Sequence, residues 1–278
     1  MTTVSWFPDA HAILLPVAVM ALSAGIVACS GRTTAPGAQD PSRQSQAEHD
    51  LGVDALIKGN LREALAHAKK AVELDDENYD AQLLAATVYV GFCTYSPEEC
   101  RLADAEKHAR AALKVKPTFR QARNTLGSVL INEKRYDEAI TVLKPLTEDM
   151  EYSTPEVAWG NLGWAQLEKG DLDSAVSSLK RAVAVQPAFC WGWEKLGLAY
   201  EKKKDLNLAE RSFTAAVEVD LPQCKAFADA FEDRARVRQK LGTEGARADL
   251  EQCSKAGAGT PAGKRCASSL AQSPGPKP

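Results

Sequence analysis

Small and apolar residues recur along this chain with a period of 34 residues, most clearly between residues 156 and 222. Within each period the apolar positions fall three or four residues apart, which is the spacing of one face of an α-helix. Pro187 follows the second apolar run, and Pro222 stands one place late in the next period, since proline cannot continue a helix. The pattern therefore predicts one helical hairpin per period. The recurring residues are Trp159, Leu162, Gly163, Ala175, Leu179 and Ala182, matched by Trp193, Leu196, Gly197, Ala209, Phe213 and Ala216.

This arrangement resembles the tetratricopeptide repeat, whose motif is W-x2-L-G-x2-Y, then A-x3-F-x2-A, then P. Copies with insertions cover residues 45–260, and the sixth is expected to have a lengthened first helix. The resemblance implies an all-α fold, a right-handed α-solenoid of six tetratricopeptide helical hairpins. Because the last hairpin of a solenoid exposes an apolar face, residues 261–272 are expected to form a short C-terminal capping helix. A disordered tail is expected at 273–278.

The N-terminal segment has the features of an export signal. Residues 17–28 form an apolar run, with Ser23 as its one polar residue, that is too short to span a bilayer as a helix, so residues 1–28 are predicted to be a signal peptide. Ala28 directly before Cys29 resembles the lipobox of bacterial lipoproteins, which implies fatty-acyl chains on Cys29. In that family a non-acidic residue such as Ser30 implies export to the outer membrane.

The predicted tether begins with Cys29 and covers residues 29–44, which are rich in Ser, Thr, Pro, Gly and Gln. It has too little apolar content to pack and is expected to form a flexible lipidated tether. The residues before the apolar run hold Asp9 and no Lys or Arg, which is unusual for an export signal. An ordinary cleaved signal peptide and a buried helix therefore stay open as alternatives.

Composition narrows the class of protein. The chain holds 34 Lys and Arg against 37 Asp and Glu, and 45% of its residues are hydrophobic. A disordered chain and a polytopic membrane protein are excluded. Without an excess of positive charge to displace counterions from phosphates, nucleic acid is not an expected partner.

No pattern of catalytic residues is found. There is no nucleophile–base pair, the cysteines form no C-x2-C set, and His49, His67 and His108 lack the spacing of metal ligands. We therefore expect no enzyme, no metal site and no small-molecule substrate. The expected covalent group is the set of acyl chains on Cys29, and no other cofactor is implied.

Six cysteines remain once the anchor is assigned, and an exported protein in an oxidising compartment is expected to pair them. One pair flanks the residues inserted into the second hairpin. Another would join the last repeat to the cap, and a third is spaced one full repeat apart. The predicted bridges are Cys93–Cys100, Cys253–Cys266 and Cys190–Cys224, with Cys224–Cys253 as a rival pairing.

In the tetratricopeptide family, set positions of each first helix face a groove that binds partners, and the resemblance implies the same here. Trp164 and Trp191 occupy such positions on adjacent hairpins and are candidate aromatic anchors, unless either ring packs only against its own neighbours. Asn161 and Lys195 lie near the positions of a carboxylate clamp found in chaperone-binding relatives, but the other cations are missing. The candidate groove residues are Gln121, Asn124, Asn132, Trp164, Leu167, Glu168, Trp191, Glu194, Leu198 and Glu201.

Lipobox, tether, six repeats and short cap together are similar to the pilotins of type IV pilus secretins, the PilF/PilW group. The cysteine-bearing second repeat and the C-terminal end are most similar to the myxobacterial members. This resemblance implies a scaffold anchored on the periplasmic face of the outer membrane that binds a secretin subunit and promotes its assembly, and hence pilus biogenesis and motility. The alternatives are an adaptor for a periplasmic protease or peptidoglycan enzyme, and an enzyme with an unrecognised site.

Overall fold

The computed structural model describes residues 40–272, with residues 95 and 97 as backbone only. Within this range the chain forms fourteen α-helices and one 3₁₀ turn (Pro97–Glu99), and no strand. The all-α prediction is confirmed. The helices are α1 (Pro41–Ile57), α2 (Leu61–Leu74), α3 (Tyr79–Tyr95), α4 (Leu102–Val115), α5 (Arg120–Asn132), α6 (Tyr136–Thr147), α7 (Pro155–Lys169), α8 (Leu172–Val185), α9 (Cys190–Lys202), α10 (Leu206–Glu218), α11 (Pro222–Lys225), α12 (Ala228–Leu241), α13 (Ala246–Ala256) and α14 (Pro261–Gln272).

The helices pair in chain order into six hairpins, α1 with α2 through α9 with α10, and then α12 with α13. Each hairpin packs on the next, and helix α14 packs on both helices of the last one, as a cap does. None of the helices described is long and apolar enough to cross a membrane. The predicted signal peptide, Cys29, residues 29–39 of the tether and the tail at 273–278 lie outside the described residues.

Glycine in the first helix of four hairpins (α1, α5, α7 and α9) lets the two helices lie close together. A methyl group built on Gly197 would lie 2.4 Å from Cε1 of Phe213 on the partner helix, and one on Gly163 would lie 2.6 Å from Cγ of Leu179. Fully buried alanines such as Ala209 and Ala216 serve the same close approach from the second helix. The hairpin core is therefore built from small residues of one helix against large ones of the other.

Two predicted boundaries are corrected. Helix α1 begins at Pro41 rather than 45, because Asp40 caps it by accepting a hydrogen bond from the Ser42 N–H at 3.1 Å. The first helix of the sixth hairpin is not lengthened. The extra residues form the separate one-turn helix α11, and α12 begins only at Ala228.

Three disulfides join cysteines of the described chain, at the places where the repeat pattern is irregular. Cys93–Cys100 closes the insertion after α3, Cys190–Cys224 ties the start of α9 to α11, and Cys253–Cys266 holds α14 against α13. The rival pairing of Cys224 with Cys253 is not formed. Each irregular segment is thus linked covalently to a regular hairpin.

Candidate partner-binding groove

The first helices of successive hairpins lie side by side, α5 against α7, α7 against α9, and α9 against α12. We call the surface that they line the groove. Two half-buried tryptophans meet in its middle, Trp164 of α7 and Trp191 of α9, with ring centroids 5.7 Å apart and planes at 86°. This edge-to-face geometry is a favourable one for aromatic pairs.

Neighbouring residues fix the position of both rings. Phe189 lies 5.7 Å from the Trp191 ring, and a methyl group on Gly160 would come within 3.0 Å of it. Trp164 packs on the core cluster beneath α7 that includes Leu162. Each ring therefore packs against its own neighbours and also keeps part of its surface open to the groove.

Lys195 of α9 completes this site. Its Nζ lies 5.6 Å from the Trp164 centroid and 5.4 Å from the Trp191 centroid, and 17% of the side chain is exposed. A cation at these distances is attracted by the negative faces of the indoles. We call Trp164, Trp191 and Lys195 the Trp–Lys site.

A buried carboxyl pair lies next to the Trp–Lys site. Glu194 of α9 is only 2% exposed and interacts directly with Asp233 of α12, which is buried as well. Burial raises the pKa of Glu194 to about 7; the charge of Asp233 acts in the same direction and the Lys195 ammonium in the opposite one. A protonated Glu194 donates its hydrogen to Asp233, whose own pKa is raised by burial. Glu194 was predicted to face a partner, and instead it joins α9 to α12.

One oxygen of Glu194 has an unusual environment. Lys195 Nζ lies 3.1 Å from Oε2, within ion-pair distance but outside hydrogen-bond geometry. Oε2 is the one buried side-chain nitrogen or oxygen in residues 40–272 that has no hydrogen bond. A negative charge on this carboxyl would be poorly solvated, which agrees with its raised pKa.

The groove continues past this pair as a network of ion pairs. Arg236 of α12 contacts Asp233 and Glu201, each at 2.6 Å, and Lys240 contacts Glu201 at 2.7 Å. Burial alone would raise the pKa of Glu201, but the hydrogen bonds from Arg236 and Lys240 leave it lowered. Glu201, another predicted groove residue, is therefore occupied within the chain. At the far end, Arg265 of the cap is 2.5 Å from Glu232.

The polar groove residues of α5 differ in their surroundings. Asn124 accepts a hydrogen bond from the Asn161 Nδ2–H of α7 at 3.0 Å, so this pair links two hairpins. Asn132 is exposed and donates to the Ser128 carbonyl of its own helix. Gln121 is exposed beside a crevice at the start of α5, away from the contacts of the Trp–Lys site.

The prediction for Leu167 is wrong. Its side chain is 0% exposed and belongs to the core cluster between α7 and the next hairpin. On α7 this position faces the adjacent first helix rather than the groove. Leu198 is half-buried against the same cluster. Glu168 is exposed, and its Oε1 lies 3.9 Å from Lys202 Nζ, at the limit of an ion pair.

Sequence reasoning missed the contribution of α12. The charge network of the groove is completed by Asp233, Arg236 and Lys240. Their register depends on the extra turn α11, which shifts the sixth hairpin by four residues relative to the period of 34. The equivalent helices α9 and α12 begin at Cys190 and Ala228, which are 38 positions apart. The delayed Pro222 was the one visible signal of this shift.

Comparison with known proteins identifies the class of fold. Family models described as the tetratricopeptide repeat match residues 101–146, 157–189 and 192–222. Together with the stacked hairpins, these matches show that the chain is a tetratricopeptide-repeat solenoid. The predicted fold class is confirmed.

More particular similarities follow. The chain is 28% identical over 157 residues to the type IV pilus assembly protein PilF of Pseudomonas aeruginosa, covering 54% of this chain and 58% of that protein. It is 31% identical over 117 residues to the chloroplastic protein PYG7 of Arabidopsis thaliana, covering 40% and 38%. The chain thus spans less than two thirds of the length of these curated relatives.

Solved structures extend the likeness in fold. A crystal structure of PilW, described as a widely conserved type IV pilus biogenesis factor, superposes with a TM-score of 0.64 at 23% identity, over 80% of this chain and 97% of that one. The structure of Pseudomonas aeruginosa PilF gives 0.60 at 18% identity, over 83% and 100%. The protein is thus a tetratricopeptide-repeat solenoid that is similar in sequence to the type IV pilus assembly protein PilF and in fold to PilW.

Proposed function

We propose that this protein is a lipid-anchored periplasmic scaffold that binds an outer-membrane secretin and promotes its assembly for type IV pilus biogenesis and motility. The observation that carries this proposal is the 28% identity to PilF over 157 residues. The superpositions on PilW and PilF agree with it in fold. Within this group we propose a pilotin most like the myxobacterial Tgl protein, since the cysteines of the second repeat and of the C-terminal end suggested that likeness.

The proposed anchor is a set of acyl chains on Cys29. Each buried CH₂ is worth about 0.8 kcal/mol, so several chains hold a protein stably at a bilayer where one does not. Eleven residues separate Cys29 from the start of α1 at Pro41. Fully extended they would reach at most about 40 Å, which keeps the solenoid close to the periplasmic face of the outer membrane.

The proposed mechanism is physical capture without chemistry. The groove offers two fixed tryptophans on adjacent hairpins, and such aromatic anchors dominate the energetics of protein interfaces. An unassembled secretin subunit held there would be delivered to the membrane in which its ring assembles. Tetratricopeptide repeats are typically non-enzymatic interaction domains, and we extend that role to this chain.

The test separates anchoring from the rest of the function. Deletion of the protein is expected to abolish secretin multimers, measured by immunoblot of envelope fractions. Cys29→Ala is expected to move the protein to the soluble periplasmic fraction and to reduce multimers, whereas the adjacent Ser30→Ala keeps both unchanged. Multimers that persist in the deletion strain would refute the proposal. Co-purification of a periplasmic protease or peptidoglycan enzyme instead would favour the adaptor alternative.

A further inference from the structure

The charges around the Trp–Lys site do not balance within the groove. Asp233 pairs with Arg236, and Glu201 pairs with both Arg236 and Lys240. These two carboxylates and two cations form a neutral set. Lys195 lies outside this set.

The one acid in contact with Lys195 compensates its charge poorly. Glu194 is buried, donates a hydrogen bond to Asp233 when it is protonated, and contacts Lys195 Nζ through Oε1 at 3.4 Å and Oε2 at 3.1 Å. Burial raises the pKa of Glu194 to about 7, so near neutral pH this carboxyl carries only part of a negative charge and compensates the adjacent ammonium incompletely. The Lys195 side chain is 17% exposed, and its Nζ lies 5.6 Å and 5.4 Å from the two indole centroids.

The two indoles add hydrogen-bond donors beside this charge. Neither the Trp164 nor the Trp191 N–H has an acceptor among residues 40–272, whereas the Trp193 Nε1–H donates to the Pro187 carbonyl at 2.9 Å. Indole nitrogen donates and never accepts, and an ammonium has no acceptor either. The polar groups of the three side chains of the Trp–Lys site are therefore all donors, and they stand beside fixed aromatic surfaces.

We propose that the Trp–Lys site binds a side-chain carboxylate, Asp or Glu, carried by an otherwise apolar segment of the protein partner. The donors meet the carboxylate and the ring surfaces meet the apolar side chains next to it. This inference deepens the proposed function by stating the chemistry of the segment that the groove selects. A free C-terminal carboxylate is less suited, because the paired cations of a clamp are absent and Arg236 and Lys240 are taken by Asp233 and Glu201.

The immobilised rings favour such binding. Trp191 is held between Phe189 and Gly160, and Trp164 is held by the core under α7. A site whose side chains are already ordered loses little conformational entropy when a partner arrives. The expected preference for a carboxylate over a neutral amide is about tenfold, which corresponds to one charge-assisted hydrogen bond.

The experiment uses the full chain with ¹⁵N-labelled indoles and two blocked hexapeptides, one of alternating Phe, Asp and Leu and the other with Asn in place of Asp. We expect the acidic peptide to shift the Trp164 and Trp191 indole signals with about tenfold higher affinity than its Asn counterpart. Lys195→Met, which keeps the aliphatic stem, should abolish that difference. Lys180→Met, on the exposed face of α8, is the matched control and should preserve it.

Equal affinities for the two peptides, a difference that survives Lys195→Met, or no indole shift with either peptide would each overturn the inference. The proposed function has a separate readout. Lys195→Met could abolish the peptide preference and still leave secretin multimers intact. That result would support the carboxylate site and show that the secretin is also held at a second surface. Secretin multimers that persist in the deletion strain would refute the scaffold role and leave the peptide result unchanged.

Discussion

Glu194→Gln should remove a pH-dependent loss of folding stability that arises at the contact between α9 and α12. Burial raises the pKa of Glu194 from 4.5 in the unfolded chain to about 7 in the folded protein. The folded state therefore holds this proton more tightly, and the resulting stability is fully present below pH 4.5 and is lost as the pH rises through 7. Each pKa unit corresponds to about 1.36 kcal/mol, so the loss amounts to about 3 kcal/mol by pH 8. Asp233, whose pKa is raised by burial, acts in the same direction.

Glutamine keeps the shape of the side chain and offers an N–H donor to Asp233 without a titrating proton. The assay is urea unfolding of the wild type and of Glu194→Gln at pH 5, 6, 7 and 8, followed by tryptophan fluorescence. We expect the variant to become more stable relative to the wild type by about 2 to 3 kcal/mol over this range. The half-buried His108, whose pKa is lowered by desolvation, gives an opposite trend, but it is present in both proteins and cancels in the difference.

Glu168→Gln is the matched control, because it neutralises an exposed carboxylate of α7 without touching the buried pair. Its stability difference from the wild type should stay within about 0.5 kcal/mol at every pH. If Glu194→Gln and the wild type show parallel pH profiles, Glu194 is ionised in the folded protein throughout. The carboxyl-pair argument would then be wrong.

Two further predictions concern the groove and the cap. Trp164→Ala combined with Trp191→Ala should weaken capture of the partner in a pull-down from the envelope while helicity in far-UV circular dichroism stays the same, because both rings are only half-buried. Cys253→Ser combined with Cys266→Ser should lower the free energy of unfolding, measured by urea unfolding, by about 3 kcal/mol in the chain-entropy model. The reason is that this disulfide joins residues 13 positions apart and holds the cap.

Each of these has its own control. Trp159→Ala removes a tryptophan that stacks with Arg181 of α8 instead, and it should leave capture intact. Unaltered capture by the double tryptophan variant would place the partner on another surface. For the cap, Cys93→Ser with Cys100→Ser opens the shorter 7-residue separation and should cost less, about 2 kcal/mol. A larger loss from the shorter bridge would show that loop length does not govern these disulfides.

The hairpins were predictable from sequence because their packing depends on residue size at fixed positions. Gly197 faces Phe213 and Gly163 faces Leu179, and such contacts repeat wherever a helix pair repeats. The cap was predictable for a related reason, since a terminal hairpin with an apolar face must be covered. The spacing of small and large residues was sufficient to predict the hairpins, and the need to cover an apolar face was sufficient to predict the cap.

The groove was less predictable because exposure depends on the neighbouring hairpin. Leu167 and Glu201 occupy equivalent repeat positions, and yet Leu167 is buried in the core while Glu201 pairs with Arg236. Family position therefore does not decide which residue is free. The burial of Glu194 depends further on Asp233, whose register was hidden by the insertion of α11.

The distribution of paired charges restricts where a partner can bind. At the C-terminal end, Arg265 of the cap forms an ion pair with Glu232, and Arg236 and Lys240 form ion pairs with Glu201. A partner that binds there would have to displace these ion pairs. Breaking a partly buried pair leaves a charge unpaired and costs more than a rim contact returns. The middle of the groove has no such obstacle, because its tryptophans are ordered but only half-covered. Selectivity is therefore expected to arise between the third and fifth hairpins, while the sixth hairpin and the cap hold that surface rigid.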